Sequence, residues 1–434
     1  MLNQHDTHHT ENEVPDNLST QPLSAQSIFQ KIANLFQGDK RVWAIFFALS
    51  IISLVAIYSA TSTIVYRQGD QFAPLLRHAM FLAGGLVVIL TIHNISYRFF
   101  SLFIFALFGS IILLIITALG KFGEMVNLAN RWIEVLGFTV QPSEFAKISL
   151  MGTIAFLLSK QNGENDGVLF KWMISLMILV CTIIAIDNLS TAILLFGVCF
   201  LLMFIGNVSI VRLLKTVGGL ITGVVLFILL LGVIPNEAKQ QGPLRRVATW
   251  ENRIHNFFTP RDARAETQFT LEDGATFQKN AARIAIANGG LINFPGRGAA
   301  RDFLPQAYSD FIFAIIIEDF GLLGGLVVLM LYIMILVRAG VIARKTKKFF
   351  PKYLVLGSAL MLSIQAFMHM AVNVGLLPVT GQPLPLVSRG GTATLITCVY
   401  FGLILSADRF GESKKKVKAE AVEKEPAKTD KDEL

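Results

Sequence analysis

The chain has 434 residues, of which 53% are apolar and only 16% are charged, and its mean hydropathy is +0.58. This composition excludes a soluble globular protein, because apolar runs of roughly 18 residues or more recur along most of the chain. Each such run is long enough to cross a hydrocarbon core of about 30 Å as a helix. The formal net charge of +8 fits a membrane protein with basic cytoplasmic loops, and it requires no nucleic-acid partner.

The apolar runs predict an all-α integral membrane protein with about ten transmembrane helices and one large extracytoplasmic loop. In chain order, the predicted spans are 43–64, 77–95, 98–118, 142–159, 170–187, 189–206, 213–234, 309–337, 352–379 and 392–407. Residues 1–42 are then a polar N-terminal tail, 43–407 the membrane domain, and 235–308 its large loop. The Lys- and Glu-rich residues 408–434 are expected to be a disordered tail.

Basic residues predict the orientation, because cytoplasmic loops of membrane proteins are enriched in Lys and Arg. The basic clusters are Lys31, Lys40 and Arg41 before the first span, several residues within Arg338–Lys352 after the eighth, and Lys414–Lys416 after the tenth. With ten spans, all three clusters lie on one side of the membrane. We therefore expect a multi-pass protein of a bacterial cytoplasmic (inner) membrane, with both termini in the cytoplasm and the loop 235–308 outside.

The fourth predicted span opens with QPSEFAK at 141–147, which places charges at membrane depth. A charge there is costly and is usually retained for a site. Ser143 is expected to cap the helix, with Glu144 in its first turn. Glu144 and Lys147 are three residues apart and share a helix face. Two interpretations remain open: a buried structural ion pair that orients helices, or a part of the substrate site.

Further polar residues interrupt the later spans. Glu318 and Asp319 lie within the eighth span, where an acidic pair should face a cavity, a cation or a basic partner. Polar residues at i, i+4 and i+8 form one stripe on the ninth span, which favours hydrogen bonding between helices. The stripe consists of Gln365, His369 and Asn373. The polar segment 187–191 predicts a tight turn between the fifth and sixth spans.

The predicted loop 235–308 is unusually rich in arginine mixed with glycine and aromatic residues. Arginine forks suit phosphates, and glycine lets the backbone approach an anion closely. These features favour an anionic lipid or a diphosphate substrate at the outer membrane face. Pairing of the arginines with acids of the same loop is the alternative.

Other sites have no support in the sequence. No Walker motif, GxSxG motif or zinc-ligand spacing appears. Cys181, Cys199 and Cys398 all lie within apolar runs and show neither a metal-ligand spacing nor a disulfide pattern. No cofactor and no metal ligand can therefore be assigned. A divalent cation, Mg²⁺ or Mn²⁺, is left open as an assistant to a diphosphate substrate.

Four motifs resemble the SEDS (shape, elongation, division and sporulation) family of polytopic peptidoglycan glycosyltransferases. They are ANRWIEVLGFTVQPSEFAK at 129–147, DNLSTA at 187–192, the run from Arg253 through FLPQAYSDFIFAIIIEDFG, and GLLPVTGQPLPLVSRGGTA at 375–393. The resemblance covers roughly residues 43–407. It implies a ten-span fold that polymerises lipid II onto polyprenyl-diphosphate-linked glycan outside the cytoplasmic membrane. It also implies a class B penicillin-binding transpeptidase as partner. FTVQPSE and the tail suit the division-type FtsW branch slightly better than the elongation-type RodA branch.

The resemblance also implies a catalytic aspartate in the large loop. In the family this residue lies between an Arg-Ile…Phe…Pro segment and a Tyr-Gln segment, and this chain has extra residues there. Counting from Pro260 favours Asp262, which we prefer, whereas counting back from Phe277–Gln278 favours Asp273. Its expected role is that of a general base, which takes the proton of the sugar 4-hydroxyl of lipid II as this hydroxyl attacks the anomeric carbon of the donor.

Cations are expected to stabilise the charge that develops on the departing diphosphate. The substrate-binding residues that we expect are Arg246, Arg253, Arg297, Arg301, Lys147, Glu144 and Ser388. This chain departs from the family pattern at other positions too. A glycine-rich GxGxG-like stretch after Gly289–Gly290 is altered to LINFPGRG. Asn188 and Ser190 stand where the family usually has Asp and Gly, and Glu318–Asp319 replaces the more common Glu-Glu pair while keeping its charge.

Two other functions remain as alternatives. A flippase for lipid II would also need a polar cavity and ten or more spans, but it would not need a general base at the outer face. A structural scaffold of the division machinery would not need charges within the membrane at all.

Overall fold

A computed structural model describes residues 35–68, 72–118, 124–126, 129–135, 138–233, 274–295 and 307–423. The chain divides into two compact units, residues 1–37 and residues 38–434. Of the first unit only residues 35–37 are described. The fold that follows is that of the second unit.

The second unit is built mainly from helices. They are α1 (Lys40–Gln68), α2 (Ala73–Asn94), α3 (Phe103–Ala118, after a 3-10 helix at Tyr97–Leu102), α4 (Pro142–Leu158), α5 (Asp166–Asp187), α6 (Leu189–Ile205), α7 (Ile210–Val233), α8 (Gly274–Gly289), α9 (Ile312–Lys345), α10 (Phe349–Asn373) and α11 (Thr392–Glu423). Each predicted span overlaps one of these helices, and α8 lies within the predicted large loop. The prediction of a helical integral membrane protein is therefore confirmed.

Among the residues that the structure describes, seven helical segments are long and apolar enough to cross a membrane. They are Lys40–Ala60, Ala73–Asn94, Tyr97–Thr117, Asp166–Asp187, Ile312–Lys345, Phe349–Asn373 and Thr392–Gly411. Helix α6 is apolar but has only 17 residues. The number of ten spans thus stays a prediction.

A small antiparallel sheet precedes α4 and was not predicted. Its strands are β1 (Glu124–Val126), β2 (Ala129–Val135) and β3 (Phe138–Val140), in the order β1-β2-β3. Val135 pairs with Phe138, so β2 and β3 are separated by two residues only. The sequence signal was present, because two short runs rich in β-branched residues flank a two-residue Leu-Gly connection.

The helices differ in how much of their surface is buried. Helices α4 and α10 lie at the centre of the bundle, and most of their side chains are inaccessible; Leu150 and Met151 of α4, for example, have no exposed surface. Helices α2, α3, α5 and α7 instead carry large exposed apolar side chains, such as Val87 and Phe105. Long apolar faces of this kind are suited to contact with lipid.

Helix α9 is interrupted at Gly321, whose φ of 73° and ψ of −177° are not helical. The break leaves the backbone N–H groups that follow it without partners inside the helix. The N–H of Leu322 donates to the carbonyl of Gly290 at 2.9 Å, and that of Leu323 donates to Leu291 at 3.2 Å. The chain that follows α8 thus supplies the hydrogen bonds that the kink removes.

The backbone of Gly289–Ile292, at the end of α8, lies close to the backbone of Ile317–Leu323 in α9. We name this contact the seam. A Cβ atom at Gly289 would lie 2.7 Å from the carbonyl carbon of Ile317, so only glycine fits. The side chain of Asn293 donates to the carbonyl of Glu318 at 2.8 Å. Glu318 and Asp319, the acidic pair of α9, are fully buried next to the seam.

Helix α11 extends to Glu423, past the boundary of 407 that the sequence predicts for the membrane domain. The sequence spacing offers a physical reason. Glu412 and Lys416, and then Lys416 and Glu420, stand four residues apart, a spacing that supports exposed helices. The predicted disordered tail stays a prediction, and residues 424–434 lie outside the described part of the chain.

Candidate functional site

The structure describes three of the predicted site residues, Glu144, Lys147 and Ser388. The two candidate bases and the loop arginines lie outside the described residues. They are Asp262, Asp273, Arg246, Arg253, Arg297 and Arg301. Their roles stay predictions, and the site is built here from the described residues that surround Lys147 and Ser388.

The cap of α4 differs from the prediction, although the helix begins at the first residue of the predicted span. The helix begins at Pro142, and Gln141 is the residue before it. Proline is favoured at the first helical position because its fixed φ suits the helix and no N–H is lost. Ser143 therefore lies inside the first turn and is not the cap; its hydroxyl is buried without a hydrogen-bond partner.

Glu144 and Lys147 form an ion pair, as their spacing predicts. Lys147 Nζ lies 2.7 Å from Glu144 Oε1, and the two side chains are only 1% and 8% exposed. Lys147 Nζ also donates to Gln365 Oε1 at 3.3 Å, which joins α4 to α10. A buried ammonium group requires such partners, because its desolvation costs several kcal/mol.

The polar stripe of α10 holds the segment that follows this helix. Gln365 Nε2 donates to the carbonyl of Pro383 at 3.0 Å. His369 Nδ1 donates to the carbonyl of Gln382 at 2.7 Å. Lys147 is thereby connected, through Gln365, to the backbone of the GQPLPLVSRGG motif.

We name residues 374–391, which connect α10 to α11, the polar connector. The connector is not helical, and much of its part 382–388 is buried. Buried backbone without a regular ladder must find other partners for its carbonyl groups. Helices α1 and α9 supply two more donors: Ser53 Oγ donates to Val387 O at 2.8 Å, and Tyr332 OH donates to Pro385 O.

The connector also contains a residue with left-handed backbone geometry. Leu386 has a φ of 68° and is 1% exposed. This conformation costs a residue with a Cβ atom about 1–2 kcal/mol. Leu386 lies between Pro385 and Val387, whose carbonyls are both hydrogen-bonded to helices, so the surrounding contacts impose the conformation.

A further contact joins the connector to the turn between α5 and α6. Asn188 caps α6 by accepting from the N–H of Thr191 at 3.2 Å, so the predicted polar turn is observed. Gln382 Nε2 donates to Thr191 Oγ1 at 2.7 Å. A cavity of about 20 Å³ next to this turn is lined by Ser143 and Asp187 among others, and it has room for about one water molecule.

The hydroxyl group of Ser388 both donates and accepts a hydrogen bond within the protein. Its hydroxyl donates to the carbonyl of Ser309 at 2.6 Å and accepts from the N–H of Leu384 at 2.8 Å. With 2% of its surface exposed, it lies inside the protein. Substrate binding by Ser388 stays a prediction, whereas its contact with Ser309 joins the connector to the turn that precedes α9.

Sequence reasoning did not identify Gln382, Thr191, Tyr332 and Ser53 as members of one network. The first two lie in motifs that drew attention, but their pairing joins residues far apart in the chain. Within the described residues, no group of three or more His, Cys, Asp or Glu side chains could hold a metal ion. The described polar side chains form a hydrogen-bonded network inside an apolar bundle.

Comparison with known proteins identifies the family of this chain. Residues 39–413 match the family model for the cell cycle proteins FtsW, RodA and SpoVE. The probable peptidoglycan glycosyltransferase FtsW of Geobacter metallireducens is 28% identical over 370 residues, which are 83% of this chain and 91% of that protein. The protein of the same name from Aromatoleum aromaticum is 30% identical over 83% of this chain and 85% of its own length. The stage V sporulation protein E of Bacillus subtilis is 28% identical over 83% of this chain and 94% of its own.

Solved structures share the fold. A chain from a peptidoglycan synthase complex, studied for the coordination of polymerization and crosslinking, has a TM-score of 0.67 and 22% identity, and covers 86% of this chain and 98% of that chain. The rod shape determining protein RodA of Thermus thermophilus has a TM-score of 0.59 and 23% identity, with 87% and 99% covered. The family match spans far more than half of the chain, and it agrees with the SEDS resemblance of the sequence motifs. The chain therefore belongs to the FtsW/RodA/SpoVE family of cell cycle proteins.

Proposed function

We propose that this protein is a peptidoglycan glycosyltransferase that polymerises lipid II into glycan strands at the outer face of the cytoplasmic membrane. The observation that carries the proposal is the family match over 39–413, which includes the whole predicted membrane domain. Relatives named as probable peptidoglycan glycosyltransferases align over more than four fifths of this chain. Their FtsW name favours a role in cell division over one in elongation.

The proposed reaction is a glycosyl transfer between two lipid-linked substrates. The growing strand on a polyprenyl diphosphate is the donor, and the sugar 4-hydroxyl of lipid II attacks its anomeric carbon while the diphosphate leaves. A carboxylate that takes the hydroxyl proton in the transition state accelerates such a step. Asp262 is the preferred base. Asp273 remains the alternative base.

Lys147 remains a proposed ligand of the substrate diphosphate, together with the loop arginines, and in the described network it is paired with Glu144 inside the bundle. Lys147 is buried and is held by Glu144 and Gln365. Direct contact between Lys147 and the substrate diphosphate requires that these partners separate. The loop arginines remain the proposed diphosphate ligands, and Mg²⁺ or Mn²⁺ remains a proposed assistant, to be tested by chelation and re-addition of the metal.

The proposed site requires the loop 235–308 to lie outside the cell and both termini inside. The basic clusters support this orientation. A single cysteine introduced at Gln268 should react with an impermeant thiol reagent in spheroplasts, whereas one at Lys347 should not. The native cysteines are buried and give a low background. The reverse labelling pattern would refute the orientation and, with it, the site at the outer face.

The proposed partner is a class B penicillin-binding transpeptidase. A fold neighbour of this chain belongs to a peptidoglycan synthase complex, which supports a shared assembly of polymerisation and crosslinking. The decisive experiment reconstitutes the purified protein in vesicles with lipid II, with and without the cognate transpeptidase, and measures glycan strand length. Strands are expected at least in the presence of the partner.

Two outcomes would favour the alternatives. Transfer of fluorescent lipid II between the leaflets without any glycan product would support a flippase. The absence of both activities, with the transpeptidase bound, would support a scaffold. Either outcome contradicts the proposed glycosyltransferase.

A further inference from the structure

The turn 307–310, which precedes α9, is held by three consecutive carbonyl groups. Each carbonyl accepts a hydrogen bond from a different residue of α10 or the polar connector. The pairs are Arg389 N to Tyr308 O at 3.0 Å, Ser388 Oγ to Ser309 O at 2.6 Å, and Asn373 Nδ2 to Asp310 O at 3.1 Å. We name these three donors the turn clamp.

Two members of the turn clamp make additional contacts with the same region. Asn373 Oδ1 accepts from the N–H of Ala314 at 3.0 Å, so one side chain holds both the turn and the first turn of α9. The guanidinium group of Arg389 lies over the ring of Tyr308, 5.1 Å from its centroid. A cation at this distance is attracted by the ring face.

The turn clamp is itself fixed by the bundle. Asn373 is 1% exposed and ends α10, and Ser388 is 2% exposed. The connector that carries Ser388 is hydrogen-bonded to α10 through His369 and to α1 through Ser53. Side chains that are locked by packing and by further hydrogen bonds can hold a neighbouring segment with the accuracy that catalysis requires.

The turn held by the clamp connects the predicted large loop to α9. The turn 307–310 lies at the C-terminal end of the predicted large loop 235–308, so the turn clamp determines where that loop rejoins the membrane domain. We propose that Ser388, Asn373 and Arg389 are positioning residues of the transfer reaction, which place the C-terminal end of the large loop relative to the bundle. This inference rests on the proposed glycosyltransferase function, in which the loop carries the general base.

The test compares two serine variants of the full-length protein, reconstituted with its transpeptidase. Ser388→Ala removes the donor to the carbonyl of Ser309 and the acceptor of the Leu384 N–H. Ser363→Ala is the matched control, since Ser363 is also fully buried and donates to a backbone carbonyl, that of Tyr332, but does not touch the turn. Displacement of a reacting group by 1 Å can lower a rate by about 100-fold. We expect kcat to fall by about tenfold or more in Ser388→Ala, with KM for lipid II and the control changed less than about twofold.

A second variant tests the contact between the Arg389 guanidinium and the Tyr308 ring, with little risk to folding. Arg389→Gln removes the cation from the ring of Tyr308 and keeps the backbone N–H bond, and the Arg389 side chain is only half-buried. Its kcat should fall less than that of Ser388→Ala, again at unchanged KM. A rise in KM at unchanged kcat, in either variant, would assign that residue to substrate binding and overturn the positioning role.

Amide hydrogen exchange separates this inference from the proposed function, because it needs no activity. The N–H groups of Arg389 and Ala314, which donate to Tyr308 O and to Asn373 Oδ1, should exchange faster in Ser388→Ala than in Ser363→Ala. Active wild-type protein with equal kcat in both serine variants overturns the positioning role. Inactive wild-type protein overturns the proposed function and the positioning role together, whereas faster exchange would still establish the turn clamp as a structural contact.

Discussion

The kink of α9 allows a quantitative test of the seam between α8 and α9. In Gly321→Ala, the new Cβ would lie 2.6 Å from the Cα atom of Ile292, and the backbone would have to keep a φ of 73° with an extended ψ. Backbone in this region is essentially restricted to glycine and costs another residue about 1–3 kcal/mol. Overpacking against a fixed neighbour adds about 1–3 kcal/mol. We expect the substitution to lower the free energy of unfolding by about 2–6 kcal/mol.

The same helix offers the control. Gly340 also lies in α9, and a Cβ atom there meets no heavy atom within 4 Å. Because alanine is the better helix former by about 1 kcal/mol, Gly340→Ala should be neutral or stabilising. Gly289→Ala changes the α8 side of the seam, because its Cβ atom would lie 2.7 Å from the carbonyl carbon of Ile317. It should lower the free energy of unfolding as Gly321→Ala does.

The assay is thermal unfolding of the detergent-solubilised proteins, combined with amide exchange at Leu322 and Leu323. These two N–H groups bond to Gly290 and Leu291, so an opened seam should expose them to exchange. Equal melting temperatures for Gly321→Ala and Gly340→Ala would refute the account of the kink. Loss of stability without faster exchange would show that strain alone, and not the seam, is responsible.

The remaining predictions concern catalysis. Asp262→Asn should abolish glycan polymerisation while the protein stays folded in the membrane; wild-type turnover in this variant with loss in Asp273→Asn would move the base to Asp273, and normal rates in both would refute a loop carboxylate as base. Exchanging the ion pair, Glu144→Lys with Lys147→Glu, should inactivate the transferase at normal expression, and robust polymerisation by the folded double variant would contradict this.

The helices were predictable because lipid imposes length and apolarity on every span, and these properties are visible locally in the sequence. The sheet 124–140 was missed because its strands are short and its signal competes with the neighbouring apolar runs. The seam was missed for another reason. Gly289 lies close to the backbone of Ile317, and Gly321 lies close to the backbone of Leu291 and Ile292. These contacts depend on packing between residues far apart in the chain, which a single sequence does not reveal.

The candidate site was predictable to a similar extent. The contact between Glu144 and Lys147 follows from their spacing on one helix, and it is observed. The polar stripe of α10 was recognised, but its main partner is the backbone of the connector, which no periodicity predicts. The residue type of Ser143 suits a helix cap, but the helix starts at Pro142, so the cap position falls on Gln141, two residues before Ser143.

The contact of Lys147 with Gln365 affects how the exchange of Glu144 and Lys147 must be interpreted. Gln365 accepts from Lys147 with Oε1 and donates to Pro383 O with Nε2, so a glutamate at position 147 would face an acceptor. If the Gln365 side-chain amide rotated by 180°, its Nε2 would donate to the glutamate at position 147. Its Oε1 would then face the carbonyl oxygen of Pro383, and these two acceptors cannot form a hydrogen bond. The exchange could therefore fail for structural reasons alone, since an unsatisfied buried group costs about 1–3 kcal/mol.

Repeating the exchange in a Gln365→Met background removes this conflict, because Met fills a similar volume without an amide. Gln365→Met alone provides the reference, as in a double-mutant cycle. If the ion pair with Glu144 is only structural, the exchange should cost little activity in the Met background, although it is harmful beside Gln365. If Lys147 also meets the substrate diphosphate, the exchange should abolish polymerisation in both backgrounds at equal thermal stability. We expect the second result, because a carboxylate at position 147 would repel the diphosphate whatever residue occupies position 365. Recovered polymerisation in the Met background would contradict it and leave phosphate binding to the loop arginines.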